Sequence, residues 1–153
     1  MTKSEEIVKT FHSNGQLKTK QIFKDGKKHG LWEWYYENGN PLSKAIYRDN
    51  LEQDFWITYH ENGQIDVKGI LKDGLREGIW EEYYDNGRLK GRSLFKKDDW
   101  AGLHEDYSET GQLLWRGNHK NGEQHGIWEW FDENGLVKKI EHYEDGILIT
   151  KLD

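Results

Sequence analysis

Apolar and polar residues alternate along this chain in short runs, and a turn signal ends each run before it can lengthen. "GLWEWYY" (30–36) leads into Asn-Gly, "LSKAIYR" (42–48) stops at Asp-Asn, and "IDVKGILK" (65–72) stops at Asp-Gly. Trp, Tyr, Ile, Leu and Phe between such signals favour strands. Asn-Gly or Asp-Gly between β-formers is the strongest local sign of a hairpin. A helical reading fails, because glycine interrupts about every dozen residues and helices that short rarely stand alone. The pattern predicts about a dozen short antiparallel strands in one long meander.

The runs recur with a period of 24 residues. One set of turn glycines is Gly15, Gly39, Gly63, Gly87, Gly111 and Gly135, and a second turn recurs at Gly26, Asn50, Gly74, Asp98, Gly122 and Gly146. Asn and Asp are the side chains that best tolerate left-handed backbone, so the second turn is predicted to use it in every repeat. Each repeat opens on a glycine (Gly30, Gly78, Gly102, Gly126), replaced once by Asp54. Two residues later comes Trp32, Trp56, Trp80 or Trp128, replaced once by His104. Five full repeats run from residue 30, and an N-terminal half-motif over 7–29 supplies a further hairpin. No insertion breaks the phase. The expectation is a single all-β domain over 1–153, an elongated twisted sheet of repeated hairpins.

Register sets the faces, since a slip of one residue exchanges them. A two-residue loop at Asn-Gly would set Glu33 opposite Lys44, Glu81 opposite Arg92 and Glu105 opposite Arg116. A three-residue loop with a glycine bulge sets Tyr35 opposite Pro41, Tyr59 opposite Ile65, Tyr83 opposite Leu89, Tyr107 opposite Leu113 and Phe131 opposite Val137. The second gathers the odd-numbered apolar columns on one side: Leu31/Phe55/Ile79/Leu103/Ile127, the Tyr35 column, the Leu17 column and Phe23/Tyr47/Leu71/Phe95/Tyr143. The small residues Ala45, Gly69, Ser93 and Gly117 leave room among them for rings. Burying an aromatic ring contributes about 1.5–3 kcal/mol and an exposed charge pair about 0–1 kcal/mol, so this face is expected to be the core.

The even-numbered face then carries the Trp column among cations, with Trp32 between Lys18 and Lys44, Trp56 beside Lys68 and Trp80 beside Arg92. Such a ladder either stiffens the sheet or forms an aromatic binding surface, and both readings stand. Two residues break the repeat. Trp100 replaces Lys28, Glu52, Arg76 and Gln124, and Trp115 replaces Thr19, Ser43, Val67, Gly91 and Lys139. Trp115 is expected to fill space above Gly91 or Gly117. Trp100 has polar counterparts and is expected at the surface, where Trp is enriched in binding hot spots. Trp34 and Trp130 stand where Thr58, Glu82 and Asp106 stand elsewhere. The candidate partner-binding residues are therefore Trp32, Trp34, Trp56, Trp80, Trp100, Trp128 and Trp130, with Asp106.

Charge and composition narrow the function. Acidic residues outnumber basic ones 28 to 22, which argues against a nucleic-acid partner and against anionic membranes. There is no Cys, no apolar signal core in "MTKSEEIVKTF" and no apolar run long enough to span a bilayer, so a cytoplasmic location is expected. Of the seven His, His29 and His125 share a repeat position, and only His104, beside Glu105 and Asp106, sits in a local cluster. No metalloprotease, nucleophile-elbow or phosphate-loop motif is present. No catalytic site, metal or cofactor is expected.

"KDGKKHGLWEWYYENG" (24–39) carries x-D-G-x-x-x-G-x-W-x-x-Y and resembles the MORN repeat, more closely its bacterial variant. The resemblance spans roughly 7–147, with Asp54, His104 and Thr110 departing from it. It implies a non-enzymatic protein-binding module. All-repeat chains of this kind are similar to YwqK-type antitoxins, which implies an immunity protein whose partner is a toxin with a basic surface. The alternative it implies is a scaffold that associates with membrane lipid or self-assembles into homo-oligomers through sheet edges.

Overall fold

The computed structural model describes residues 4–152; the first three residues and Asp153 of the expected 1–153 domain lie outside the described residues. Those residues form fourteen strands in an antiparallel meander, with no helix. Two compact units divide the chain, Met1–Leu75 and Arg76–Asp153. The first contains β1 (Glu5–Phe11), β2 (Leu17–Lys24), β3 (Lys27–Lys28), β4 (Gly30–Tyr35), β5 (Pro41–Arg48), β6 (Leu51–Tyr59) and β7 (Ile65–Lys72). The second contains β8 (Leu75–Tyr83) from Arg76 onward, β9 (Leu89–Lys96), β10 (Asp99–Tyr107), β11 (Leu113–Lys120), β12 (Glu123–Phe131), β13 (Val137–Glu144) and β14 (Ile147–Leu152).

Both turn types follow the sequence. The second turn has positive φ at two successive residues, as at Asp49 (52°) and Asn50 (75°), which is the hairpin conformation whose twist matches the strands. At Asn-Gly, Tyr36 N–H donates to Asn40 O at 2.9 Å and Gly39 N–H donates to Tyr36 O at 3.0 Å, closing a three-residue loop with Gly39 at φ 87°. The expected pairs Tyr35–Pro41, Tyr59–Ile65, Tyr83–Leu89, Tyr107–Leu113 and Phe131–Val137 all form.

One pair farther on, the register shifts. Trp34 lies opposite Ser43, so Leu42 is an extra residue in β5, and the same shift recurs between Glu82 and Tyr83, between Asp106 and Tyr107 and between Trp130 and Phe131. An extra residue transfers everything beyond it to the other face. Glu33 therefore does lie opposite Lys44, Glu81 opposite Arg92 and Glu105 opposite Arg116. Each hairpin begins in one expected register and continues in the other.

This corrects the assignment of the core. Trp32, Trp80 and Trp128 are buried, with 4%, 9% and 4% of their surface exposed, whereas Ile79 and Ile127 expose 56% and 50%. The column expected to be buried, Phe55/Ile79/Leu103/Ile127, is exposed, and the Trp column expected at the surface lies in the core. The small residues do make room for rings, but the rings are indoles: Ala45 lies opposite both Trp32 and Trp56. Indole buries the larger area, and its N–H needs an acceptor. Trp32 Nε1–H donates to Ile22 O at 2.9 Å and Trp128 Nε1–H to Asn118 O at 3.2 Å.

Candidate functional site

In the N-terminal unit, Trp32, Ala45 and Tyr47 are buried together, with Phe23, Trp34 and Trp56 packed against them. The Trp32 ring centre lies 5.1 Å from Phe23, 5.0 Å from Tyr47 and 5.8 Å from Trp34. Lys28 Nζ covers the group, 4.7 Å from the Trp32 ring and 4.9 Å from Tyr47. The Tyr47 hydroxyl donates to Glu52 Oε1 at 2.5 Å, and burial together with that carboxylate raises the phenol's pKa.

The C-terminal unit solves the same packing problem differently. At the Trp position stands His104, buried, with Nε2 3.6 Å from Asp106 Oδ1 and with Nδ1 lacking a hydrogen-bond partner. His119 occupies the column of Phe23, Tyr47, Phe95 and Tyr143. Trp100 lies 4.2 Å from His104, 4.5 Å from His119 and 5.9 Å from Phe95, ring centre to ring centre. Trp115 lies 4.6 Å from His104 and stacks on Trp128 at 5.3 Å and 18°. Trp100 is thus half-buried in an aromatic cluster, not exposed as its polar counterparts in the other repeats had suggested. Trp130 is half-buried, 6.1 Å from Trp128, with Lys139 Nζ 3.5 Å above its ring. Of the candidate residues, Trp80 packs edge-on against Phe95 at 6.4 Å. His119 and its neighbourhood to His104 were not foreseen; the signal is a polar ring in a column otherwise apolar or phenolic.

The opposite face is the exposed one. Cross-strand pairs Leu31–Ile46 and Phe55–Ile70 mark an apolar strip in the N-terminal unit, with Phe55 and Ile70 exposed. Ile79 pairs with Leu94 in the C-terminal unit, where Leu103 and Ile127 continue the strip, all four exposed. Beside it runs a ladder of ion pairs. Glu33 Oε2 meets Lys20 Nζ at 3.3 Å and its Oε1 meets Lys44 Nζ at 3.4 Å. Burial would raise the Glu33 carboxyl, but hydrogen bonds from Lys20, Tyr35 and Lys44 hold it below the usual range. Arg92 lies 3.2 Å from Glu81 and 3.9 Å from Glu105, and Arg116 lies 2.6 Å from Glu129.

Two charged borders flank this face. The turns at Gly39 and Gly63 expose Glu37 and Glu61 in the N-terminal unit, and those at Gly87, Gly111 and Gly135 expose Asp85, Glu109 and Glu133 in the C-terminal unit. Asn14 Nδ2 donates to Glu37 O at 2.7 Å, Asn38 Nδ2 to Glu61 O at 2.9 Å and Arg88 Nη1 to Glu109 O at 3.0 Å, which fixes each turn to the preceding one. At the other border stand Arg48 and Lys72 in the first unit and Lys96 and Lys120 in the second, all exposed, interleaved with the exposed Asp49, Asp73, Asp99 and Asp145; Arg48 pairs with Asp54 and Lys120 with Asp145, each at 3.4 Å. Among the described residues, no group of three or more His, Asp or Glu is placed to hold a metal ion.

A family model described as MORN repeat variant matches residues 7–25, 28–49, 56–73, 76–97 and 124–149. The unmatched stretch between 97 and 124 holds Trp100, His104, Trp115 and His119. Comparison with curated proteins found no match.

Proposed function

The chain belongs to the MORN repeat variant family, a non-enzymatic repeat module, and on that premise we propose that it is a protein-binding module whose docking surface is the exposed apolar face. The observation that carries this is the strip Ile79, Leu94, Leu103 and Ile127, exposed while the indoles of the other face are buried. Strips of exposed apolar residues rimmed by charge mark protein contact surfaces. The rim differs on its two sides: acidic at the turns that carry Asp85, Glu109 and Glu133, and of mixed sign at the other, where Lys96 and Lys120 stand beside Asp99 and Asp145. A partner with its own patterned charge can satisfy both borders, and the pattern fixes its direction. A polyanion of uniform charge meets repulsion at the acidic border.

The finer reading is an immunity protein that neutralises a toxin. The all-repeat architecture and the acidic balance support it, the acidic turns being the part that meets a basic toxin surface. Co-purification of the full chain with the product of the adjacent gene tests it. Retention of that product by the native chain, lost in Ile79→Asp with Ile127→Asp, is the expected result. No retained protein, together with an adjacent product harmless when expressed alone, contradicts it. The basic column beside apolar side chains favours a second reading, association with anionic lipid. Sedimentation with anionic liposomes at physiological salt separates the two.

A further inference from the structure

The C-terminal unit carries a feature that binding does not use: two imidazoles inside an aromatic cluster, at places where other repeats have Trp and, in the second column, Phe, Tyr or Leu. We infer that His119, enclosed in this cluster beside His104, makes this unit acid-labile, so that proton uptake at His119 loosens the β10–β12 cluster while the Trp32 core keeps its packing.

The geometry sets the conflict. His119 lies edge-on to Trp100 and Trp128 at 4.5 and 5.1 Å and 5.8 Å from His104. On β10 the only carboxylate facing the pair is Asp106, 3.6 Å from His104 Nε2. Across the pair, β9 presents Ser93 and Phe95, β11 presents Gly117 and Trp115, and β12 presents Gln124 and Trp128. Two charged pairs stand one layer away. Arg76 lies over Phe95 at 3.9 Å and pairs with Asp98 at 3.0 Å. Glu141, opposite Trp128, pairs with Lys139 at 3.2 Å. Among the described residues no carboxylate forms an ion pair with His119, so an imidazolium there loses water without gaining a counter-ion.

Burial, with His104 adding, lowers the His119 pKa from 6.5 to about 4. The unfolded chain therefore binds the proton more tightly than the native one. Stability from this group is complete above the unfolded value and is lost as pH falls from 6.5 towards 4. From pH 7 to pH 5 the folding equilibrium of the cluster falls about 20-fold.

The test uses the full chain and does not depend on any partner. Hydrogen exchange, corrected for intrinsic rate, should show the opening equilibrium of β10–β12 rising about 20-fold from pH 7 to pH 5. His119→Phe, which restores the ring type of Phe23 and Phe95, should abolish that rise and leave the N-terminal unit's response unaltered. A rise that persists in His119→Phe overturns the inference. Should that variant not fold, the imidazole titration of the native chain by NMR decides. An apparent value for His119 below about 5.5 supports it, and one at or above about 5.5 overturns it, because attraction to the indole faces would then outweigh burial.

Discussion

The core around Trp32 and the core around His104 occupy equivalent places in the repeat and are built in opposite ways. In the first, one large indole fills the space and a lysine covers it, with Lys28 Nζ 4.7 Å from the ring. In the second the large ring is missing, and two tryptophans at positions that hold no ring in the other repeats, Trp100 and Trp115, close on His104 at 4.2 and 4.6 Å. The substitutions that seem arbitrary along the chain are one compensated set: a ring lost at position 104 is replaced by rings entering from 100 and 115. The position is conserved as a filled volume rather than as a residue type.

Removing the ring tests the comparison most severely. Trp32→Ala leaves the N-terminal core without its centre and should cost about 3–5 kcal/mol in denaturant unfolding. A cost near that of an exposed residue would end the account of that core. Gly117→Ala comes next. A Cβ at Gly117 would fall inside the Trp128 indole, whereas Ala45, its counterpart, carries one beside Trp32. We expect a loss of about 3 kcal/mol with disturbed indole fluorescence, and Ala45→Gly should cost less, about 1 kcal/mol.

Trp100→Ala should cost about 2 kcal/mol, because the ring is half-buried against three others. The compensation itself is visible in a cycle. His104→Trp alone overpacks the cluster, and adding Trp100→Lys should recover about 1–2 kcal/mol, measured as non-additivity of the two changes. Strict additivity would separate the two sites and undo the comparison. The smallest effect belongs to the exposed strip, where Ile79→Ser should change stability by no more than about 0.5 kcal/mol.

The strands, the period and both turns were legible because glycine, Asn and Asp mark them: Gly39 and Asn50 adopt the positive φ their positions suggested, at 87° and 75°. The faces were not legible, because the residue that exchanges them carries no mark. Positions 42, 66, 90, 114 and 138 hold Leu, Asp, Lys, Leu and Lys, with no shared chemistry. Any side chain can occupy such a bulge, since its backbone stays at negative φ. Alternation beyond it then points to the wrong side, and area alone favoured either face until the indole N–H groups found acceptors at Ile22 and Asn118. The candidate tryptophans were placed on a common face, as the period required, but the face is the core. Trp100 and Trp115 stood out as exceptions without a cause, because the cluster that explains them joins two neighbouring strands: Trp100 and His104 lie on β10, Trp115 and His119 on β11, and their rings meet only once those strands pair.

The burial of the indoles and the exposure of the aliphatic strip are the claim on which the docking surface rests. Hydroxyl-radical footprinting of the native chain reads both at once, through modification of Trp32, Trp80 and Trp128 against Ile79, Leu103 and Ile127. The account predicts indoles protected to near background although intrinsically far more reactive, with the aliphatic residues modified freely. Rapid modification of the three tryptophans beside protected Ile79 and Ile127 would contradict it.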